Sequence, residues 1–421
     1  MRGWWIVPLV ISALVAQTRL TLPQAEEVAL QNHPRISAQR YRAAAAAQVP
    51  IQVHADSLPF AAGNLTGAAA LDRSRVAAGG LNNPIIYDRL ATGVTGGHVI
   101  TDFGRNRELV RSAQSRADSQ RQVTEYTRAE IVLQVDRAFY SLLRALAVLR
   151  VAEQTVSARQ TVSDQVSALA KSNLRSTLDV SFANVNLAEA ALLLEQQKNE
   201  AESAQANLGA ALGSSLTERF EPVDDANADA VAEDLADLLR RAVAKRPELA
   251  SLRLDETAAQ QFAKSEGRLW MPTVTAIGSL GFLPVHVDAI RGNWAAAGVN
   301  VSIPVFNGFL FKARKTQADL LTLAAADRVK DAELQVRREV RLAYLSALSA
   351  FQRMGLSAKL LEQARLALDL ARTRYDLGLS SIVELSQGEL SLTKAEIATA
   401  SARFEYLSRR AELNYQLGEN R

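Results

Sequence analysis

Cysteine is absent from the 421 residues, which excludes disulfides, thiolate metal sites and lipid attachment through an N-terminal cysteine. Histidine is scarce. His33, His54, His98 and His286 are the only four, and no two stand at ligand spacing, so no metal site is expected. Neither charge dominates: the formal net charge is +3, and Lys and Arg are scattered, so no nucleic-acid footprint is expected. No Ser/His/Asp constellation and no phosphate-binding glycine loop is present, which points away from an enzyme and from any cofactor. Long apolar runs are also few. The opening MRGWWIVPLVISALVAQ has a positive start, an apolar stretch over Trp4 to Val15 and a small residue at Ala16, and residues 1–16 read as a signal peptide. That run is too short to cross a bilayer as a helix, and no later stretch has the length and apolarity of a membrane helix.

What is present is a chain 48% hydrophobic and 22% charged, enough to bury a sizeable core. It is also repeated. Ser176-Thr177-Leu178-Asp179-Val180-Ser181 aligns with Ser381-Ile382-Val383-Glu384-Leu385-Ser386 at an offset of about 205 residues. Ala138-Phe139-Tyr140-Ser141 aligns in step with Ala343-Tyr344-Leu345-Ser346, and Leu212-Gly213 with Leu417-Gly418. His33-Pro34 and Arg246-Pro247 correspond with small gaps, as do Phe103-Gly104 and Phe306-Asn307-Gly308. The expected organisation is a first repeat over 17–213, an acidic linker with a short helix over 214–245, and a second repeat over 246–421.

Each repeat predicts the same elements. A leading helix comes first, over 23–52 and over 247–269, rich in Ala, Glu, Gln, Leu and Arg. Two strands follow. In the first repeat they are expected near 58–71 and 92–103. In the second, 273–280 alternates, and Ala297, Val299, Val301, Ile303 and Val305 point one way while Gly298, Asn300 and Ser302 point the other. A very long helix comes next, over 105–171 and 309–376, each reaching roughly 100 Å. Val135, Phe139, Leu142, Leu146 and Leu149 recur at 4-3-4-3 spacing, and so do Val336, Val340, Ala343, Ala347, Ala350 and Met354, the period of coiled-coil packing. A return helix closes each repeat, over 179–212 and 384–417. Gly378 between the two helices supplies a stop, and Ser380 or Ser381 a cap, so the break reads as a hairpin tip.

Strands of about ten residues can cross an outer membrane. Val299, Val301, Ile303 and Val305 would face lipid, with Trp270, Phe282, Trp294, Phe306 and Phe309 as an interfacial girdle. Four strands cannot close and open edges are not tolerated in lipid, so two or more chains are required. Eight strands fill their own interior and twelve leave a lumen, so a duct calls for at least a trimer. The alternative is a soluble periplasmic coiled-coil scaffold with a small ordinary sheet.

LTLPQAEEVALQNHPRISAQ, KRPELASLRLDETAAQ, the tip phrases LRSTLDV and YDLGLSSIVEL, and their order over the whole mature chain resemble the TolC-like outer membrane efflux proteins. The resemblance implies a mixed, mainly α fold. Tandem-duplicated long α-helical hairpins would form a periplasmic α-barrel, and four strands per protomer would enter a trimeric 12-stranded transmembrane β-barrel. It implies an outer-membrane exit duct of a tripartite efflux pump or type I secretion system. The partners would be two further copies, outer-membrane lipid, a periplasmic adaptor protein and an inner-membrane transporter. By position, Asp179 and Glu384 match acidic members of the family's tip constriction, and Tyr375 its aromatic member. Ser380 stands where a basic residue would pair across the closed gate, and Gln387 where a second acidic ring would lie. Asp179 and Glu384 also suit helix N-termini for purely structural reasons. Leu174, Arg175, Ser176, Gly378 and Leu379 at the tips are candidates for adaptor docking.

Overall fold

The computed structural model describes residues 18–71, 87–214, 219–230, 233–286, 288 and 291–419. The expected signal segment, 1–16, lies outside the described residues, as do 215–218 and 231–232 of the linker. The element order is β1 (Thr18–Leu20), α1 (Leu22–Asn32), α2 (Pro34–Ala46), α3 (Val49–Ala55), β2 (Phe60–Ala68), β3 (Arg89–Thr101), α4 (Arg105–Lys171), α5 (Thr177–Leu212), β4 (Phe220–Pro222), α6 (Leu235–Lys245), α7 (Pro247–Gly267), β5 (Thr273–His286), β6 (Asn293–Ser302), α8 (Leu310–Asp376) and α9 (Ile382–Gln416). The fold is mainly helical, and α4 and α8 are 67 residues each. The chain divides into two compact units.

The first unit holds the described residues within Met1–Gln39, Thr124–Pro247 and Glu333–Arg421. Its core joins Ala25, Ala29 and Ile36 to Ile131, Val135, Phe139 and Leu142 of α4, to Leu208 and Leu212 of α5, and to Phe404 and Leu407 of α9. Of the seam positions read from the heptads, Val135, Phe139 and Leu142 on α4 and Val336, Val340, Ala343, Ala347 and Ala350 on α8 are buried there, while Leu146, Leu149 and Met354 are partly buried. β1 and β4 pair in parallel. The acidic linker lies along α9. Arg403 pairs with Asp224, Arg410 donates to the Asn227 carbonyl, and the Tyr406 hydroxyl donates to the Asp229 carbonyl.

The single leading helix expected over 23–52 is instead three helices. Proline explains the first break. His33, preceding Pro34, is extended at φ −70°, ψ 122°, because the pyrrolidine ring crowds a helical residue before it. Arg246, preceding Pro247, is extended in the same way at φ −63°, ψ 123°. Each break is met by a helix end. Gly213 follows α5 at φ +70° and Gly418 follows α9 at φ +71°. A Cβ at Gly213 would lie 3.1 Å from the His33 Cα, and one at Gly418 3.1 Å from the Lys245 carbonyl carbon. Both positions need the left-handed backbone and the missing side chain together.

One expectation about apolarity is corrected. α5 does contain an 18-residue window of mean hydropathy 1.2, with 11% of that window buried in the chain. Alanine and leucine, with few charges between, give it that value. It is long and apolar enough to cross a membrane by length and composition alone, although α5 also carries part of the core.

The second unit holds the described residues within Arg40–Val123 and Glu248–Ala332. Its four strands form one antiparallel sheet in the order β2-β3-β5-β6. The pairings Val274↔Val301, Ala276↔Val299, Gly278↔Ala297 and Leu280↔Ala295 place these residues on one face, with Val94 and Leu65 continuing it. The opposite face carries Asn64, Thr95, Thr275, Ser279 and Asn300, and the Asn64 amide donates to the Thr95 hydroxyl at 3.1 Å. β6 stops at Ser302, so Ile303 and Val305 lie beyond the ladder rather than in it. Pro304, which has no amide to donate, ends the pairing there. Every residue of β6 and nearly all of β2 is exposed, so among the described residues no helix covers either face of these edge strands. Of the expected girdle, Trp270 stacks edge-on against Phe311 and Phe306 against Phe309. Beside these helix starts Glu266, fully buried, is clasped by Arg314 through two hydrogen bonds of 2.6 and 2.9 Å.

Candidate functional site at the hairpin tips

The two tips are built alike. After α4 the chain closes with Asn173 N–H to the Ala170 carbonyl and Leu174 N–H to the Leu169 carbonyl. After α8 it closes with Gly378 N–H to Tyr375 and Leu379 N–H to Arg374. Asn173 and Gly378 both occupy the left-handed region, at φ +59° and +71°. This is the Schellman closure, in which the residue after the left-handed one normally packs back on its helix. Leu174 and Leu379 hold that position yet are 69% and 67% exposed.

The returning helices then start on serine. Ser176 caps α5, and a reciprocal capping box joins it to Asp179: the Asp179 N–H donates to Ser176 Oγ at 3.1 Å, and the Ser176 N–H donates to the Asp179 carboxylate at 3.2 Å. Ser381, not Ser380, is the cap of α9, and it makes no side-chain cap bond. Ser380 Oγ is buried without a hydrogen-bond partner among the described residues.

Tyr375 is 4% exposed and sits in a small core with Val166 of α4, Ala183 of α5, and Ile382 and Leu385 of α9. Its hydroxyl has no hydrogen-bond partner among the described residues. Arg175 comes from the first tip and lies over the Tyr375 ring, its guanidinium carbon 4.1 Å from the ring centroid. The same guanidinium donates to the Tyr375 carbonyl at 2.6 Å. Burial raises the Tyr375 phenol above its ordinary value. Arg175 opposes that shift, and Asp179 and Asp376 reinforce it.

Three more polar contacts join the hairpins or close the second one. Arg374 pairs with Glu384 at 3.4 Å, both half-exposed. The Asn186 amide donates to the Ser386 hydroxyl at 2.7 Å. Arg159 of α4 pairs with Glu389 of α9, and their side chains are only 9% and 12% exposed. Burial depresses the Arg159 pKa, and Glu189 opposes this. Arg159, Asn186, Glu189, Ser386 and the exposed Gln387 line a cavity of about 320 Å³.

The candidate residues thus separate into groups. Tyr375 and Arg175 are brought into direct contact, although Arg175 was expected on the docking surface. Asp179 is occupied by its own helix cap, and Glu384 by Arg374. Gln387 faces the cavity, and Ser380 meets no charged partner among the described residues. The sequence reading missed Arg374, Asn186, Ser386, Arg159 and Glu389. For Arg159 and Glu389 a signal existed. Ala145, Ala152, Arg159 and Val166 are spaced by seven, and Ile382, Leu385, Glu389 and Leu392 by three and four, so each charge stands at a position of the buried seam.

A model of the outer membrane efflux protein family matches residues 26–214 and 238–419. The chain belongs to that family. It is a family of channels and transport proteins, not of enzymes, and its members are outer-membrane proteins. The unmatched residues 215–237 cover most of the acidic linker. The chain is 22% identical over 191 residues to the outer membrane protein TolC of Salmonella enteritidis, which covers 43% of this chain and 39% of that protein. The alignment thus spans about two fifths of the length of the curated relative. Among solved structures, the outer-membrane channel OprN superposes with a TM-score of 0.81 at 20% identity, covering 94% of this chain and 89% of that one. The outer membrane protein VceC from Vibrio cholerae gives a TM-score of 0.80 at 20% identity, covering 94% and 96%. At such identities the superpositions establish a shared fold.

Proposed function

We propose that this chain is one protomer of a trimeric outer-membrane duct, the exit channel of a tripartite efflux pump or type I secretion system. The observation that carries this reading is the uncovered sheet. Among the described residues it has an apolar face, a polar face, two open edges at β2 and β6, and no helix over its edge strands. In water such a sheet exposes apolar surface and invites edge pairing. In lipid it needs a closed barrel, because unpaired backbone groups there cost several kcal/mol each. Three copies supply twelve strands and a lumen lined by the Asn64, Thr95, Thr275, Ser279 and Asn300 face. The soluble-scaffold alternative gains nothing from that arrangement.

The working part is the tip. In this reading the Arg374–Glu384 pair closes the second hairpin on itself, while the Arg175–Tyr375 clasp and the Arg159–Glu389 pair hold the two hairpins of one protomer together and keep the duct shut. Opening separates the hairpins and breaks the clasp and the Arg159–Glu389 pair. Asp179 and Glu384, repeated three times, put carboxylate rings at the mouth that favour cations, and Gln387 adds no charge to them. Leu174 and Leu379, left unpacked by the Schellman turns, are the surfaces a periplasmic adaptor covers, and an inner-membrane transporter completes the assembly. Fractionation with a chaotrope wash, followed by native mass measurement in detergent, tests the whole. A trimer retained in the outer membrane is expected. A chain that washes off, or stays single in detergent, refutes the reading.

A further inference from the structure

Away from the tips, the first unit contains a cavity of about 440 Å³. Glu26 of α1, Asp136 and Tyr140 of α4, Asn227 of the linker, Arg410 of α9 and Glu419 beyond it supply its polar wall. Asp136 is only 5% exposed, and its Oδ1 meets no hydrogen-bond donor among the described residues. The Glu26 carboxyl is its side-chain hydrogen-bond neighbour. Two ionised carboxylates are both acceptors and cannot bond each other. One proton between them makes a donor and an acceptor.

The surrounding charges do not neutralise the pair. Tyr140 faces Asp136 from the same helix, one turn on. Arg410 is the cation on the wall, and its guanidinium donates to the Asn227 carbonyl at 3.0 Å. Glu419 is held by Arg241 and Lys245, and Asp224 of the linker by Arg403.

We propose that Glu26 and Asp136 share one proton at neutral pH, and that this acid–carboxylate hydrogen bond is a pH-operated latch fastening α1 to α4. Burial first, then the charge of Glu26 and the bond to it, push the Asp136 carboxyl up from 3.8 to about 8, and burial raises Glu26 as well. A carboxyl whose pKa is higher folded than unfolded binds more protons in the folded state between those two values. The stabilisation linked to the Asp136 proton is therefore full below about pH 4. It weakens as pH rises, and is lost above about pH 8, where two like charges face each other in a largely desolvated site.

Thermal unfolding of the full chain in detergent from pH 5 to 9 tests this. The wild-type unfolding temperature is expected to fall by roughly 4 °C between pH 5 and pH 8 and to level off above that. Asp136→Asn should flatten the slope, because its amide donates to an ionised Glu26 at every pH, and should match or exceed wild type at pH 9. Glu412→Gln, which removes a carboxylate already paired with Arg137, should leave the slope as it is. Infrared difference spectra should show a protonated-carboxyl band at pH 7 that is missing from Asp136→Asn. Parallel slopes for wild type and Asp136→Asn, or no such band in wild type, overturn the latch. If Asp136→Asn does not fold, Glu26→Gln and the wild-type infrared spectrum still decide.

Discussion

Removing the guanidinium of Arg175 isolates one contact between the hairpins. Two interactions disappear in Arg175→Ala: the guanidinium over the Tyr375 ring at 4.1 Å and the bond to the Tyr375 carbonyl at 2.6 Å. A partly desolvated cation–π contact is worth about 1–2 kcal/mol. A hydrogen bond from a charged donor contributes about 1.5–3 kcal/mol. Arg175 is half-buried, so water replaces part of both, and a combined loss of about 2–3 kcal/mol per protomer is the reasonable figure. If the contact exists only in the shut state, that loss shifts the shut-to-open ratio by about 30- to 150-fold per protomer. Arg175→Lys keeps the charge but not the planar stacking or the fork, and should fall between. The assay is single-channel conductance in planar bilayers, with uptake of an antibiotic too bulky for ordinary porins as the cellular readout. Conductance and uptake should rise in the order wild type, Arg175→Lys, Arg175→Ala. If all three proteins assemble normally and conduct alike, the clasp does not hold the tip shut.

Three further predictions follow from neighbouring observations. Tyr375→Phe removes a buried hydroxyl that has no partner among the described residues, so it should leave tip stability unchanged or slightly higher, whereas Tyr375→Ala should lose about 3–5 kcal/mol and open the duct; unfolding and conductance measurements compare them. Arg159→Met strands a nearly buried Glu389 and should cost about 3–5 kcal/mol, while adding Glu389→Leu should recover most of it, a difference that a double-mutant cycle on unfolding free energy would detect. Val299→Lys on the apolar sheet face should cost about 2–4 kcal/mol and reduce assembled protein in the outer membrane, while Asn300→Lys on the opposite face should be tolerated; equal loss for both would remove the assignment of faces.

Most elements were legible because two periods dominate the sequence. The seam of α4 and α8 shows the 3.5-residue repeat, and β5 and β6 show alternation, so their faces could be read before their partners were known. Breaks and contacts were less legible. Pro34 stands in a helix-rich stretch, and the alanines on either side masked its effect on His33. Ile303 and Val305 continue the alternation past Ser302, but periodicity does not register the missing amide of Pro304. At the tips, the turn residues identified the turn, yet the sequence could not say where a long side chain would reach. Arg175 sits in a loop, and only the packing of Tyr375 against three neighbouring helices brings the two together. Arg159 and Glu389 were discoverable, since a charge at a seam position calls for a partner.

The seam itself argues that one copy is not the working unit. Where α8 meets its own chain it presents Ala343, Ala347 and Ala350, all buried. Elsewhere on the same helix Leu320, Leu323, Leu334, Leu356, Leu366 and Leu370 are between 55% and 67% exposed. A soluble helix does the reverse, burying leucine and leaving alanine to water. Fully covering six leucines is worth about 9–18 kcal/mol. Since they are already partly covered, and association itself costs about 4–15 kcal/mol, one helix face alone does not secure a complex. In the proposed barrel the remainder comes from β2 and β6, each of which leaves one edge unpaired within the chain for another copy to complete. Sheet edges and leucine stripe therefore call for the same partner. In the trimer reading, folding of the protomer and closure of the ring are coupled, and the unfolding temperature should rise with protein concentration.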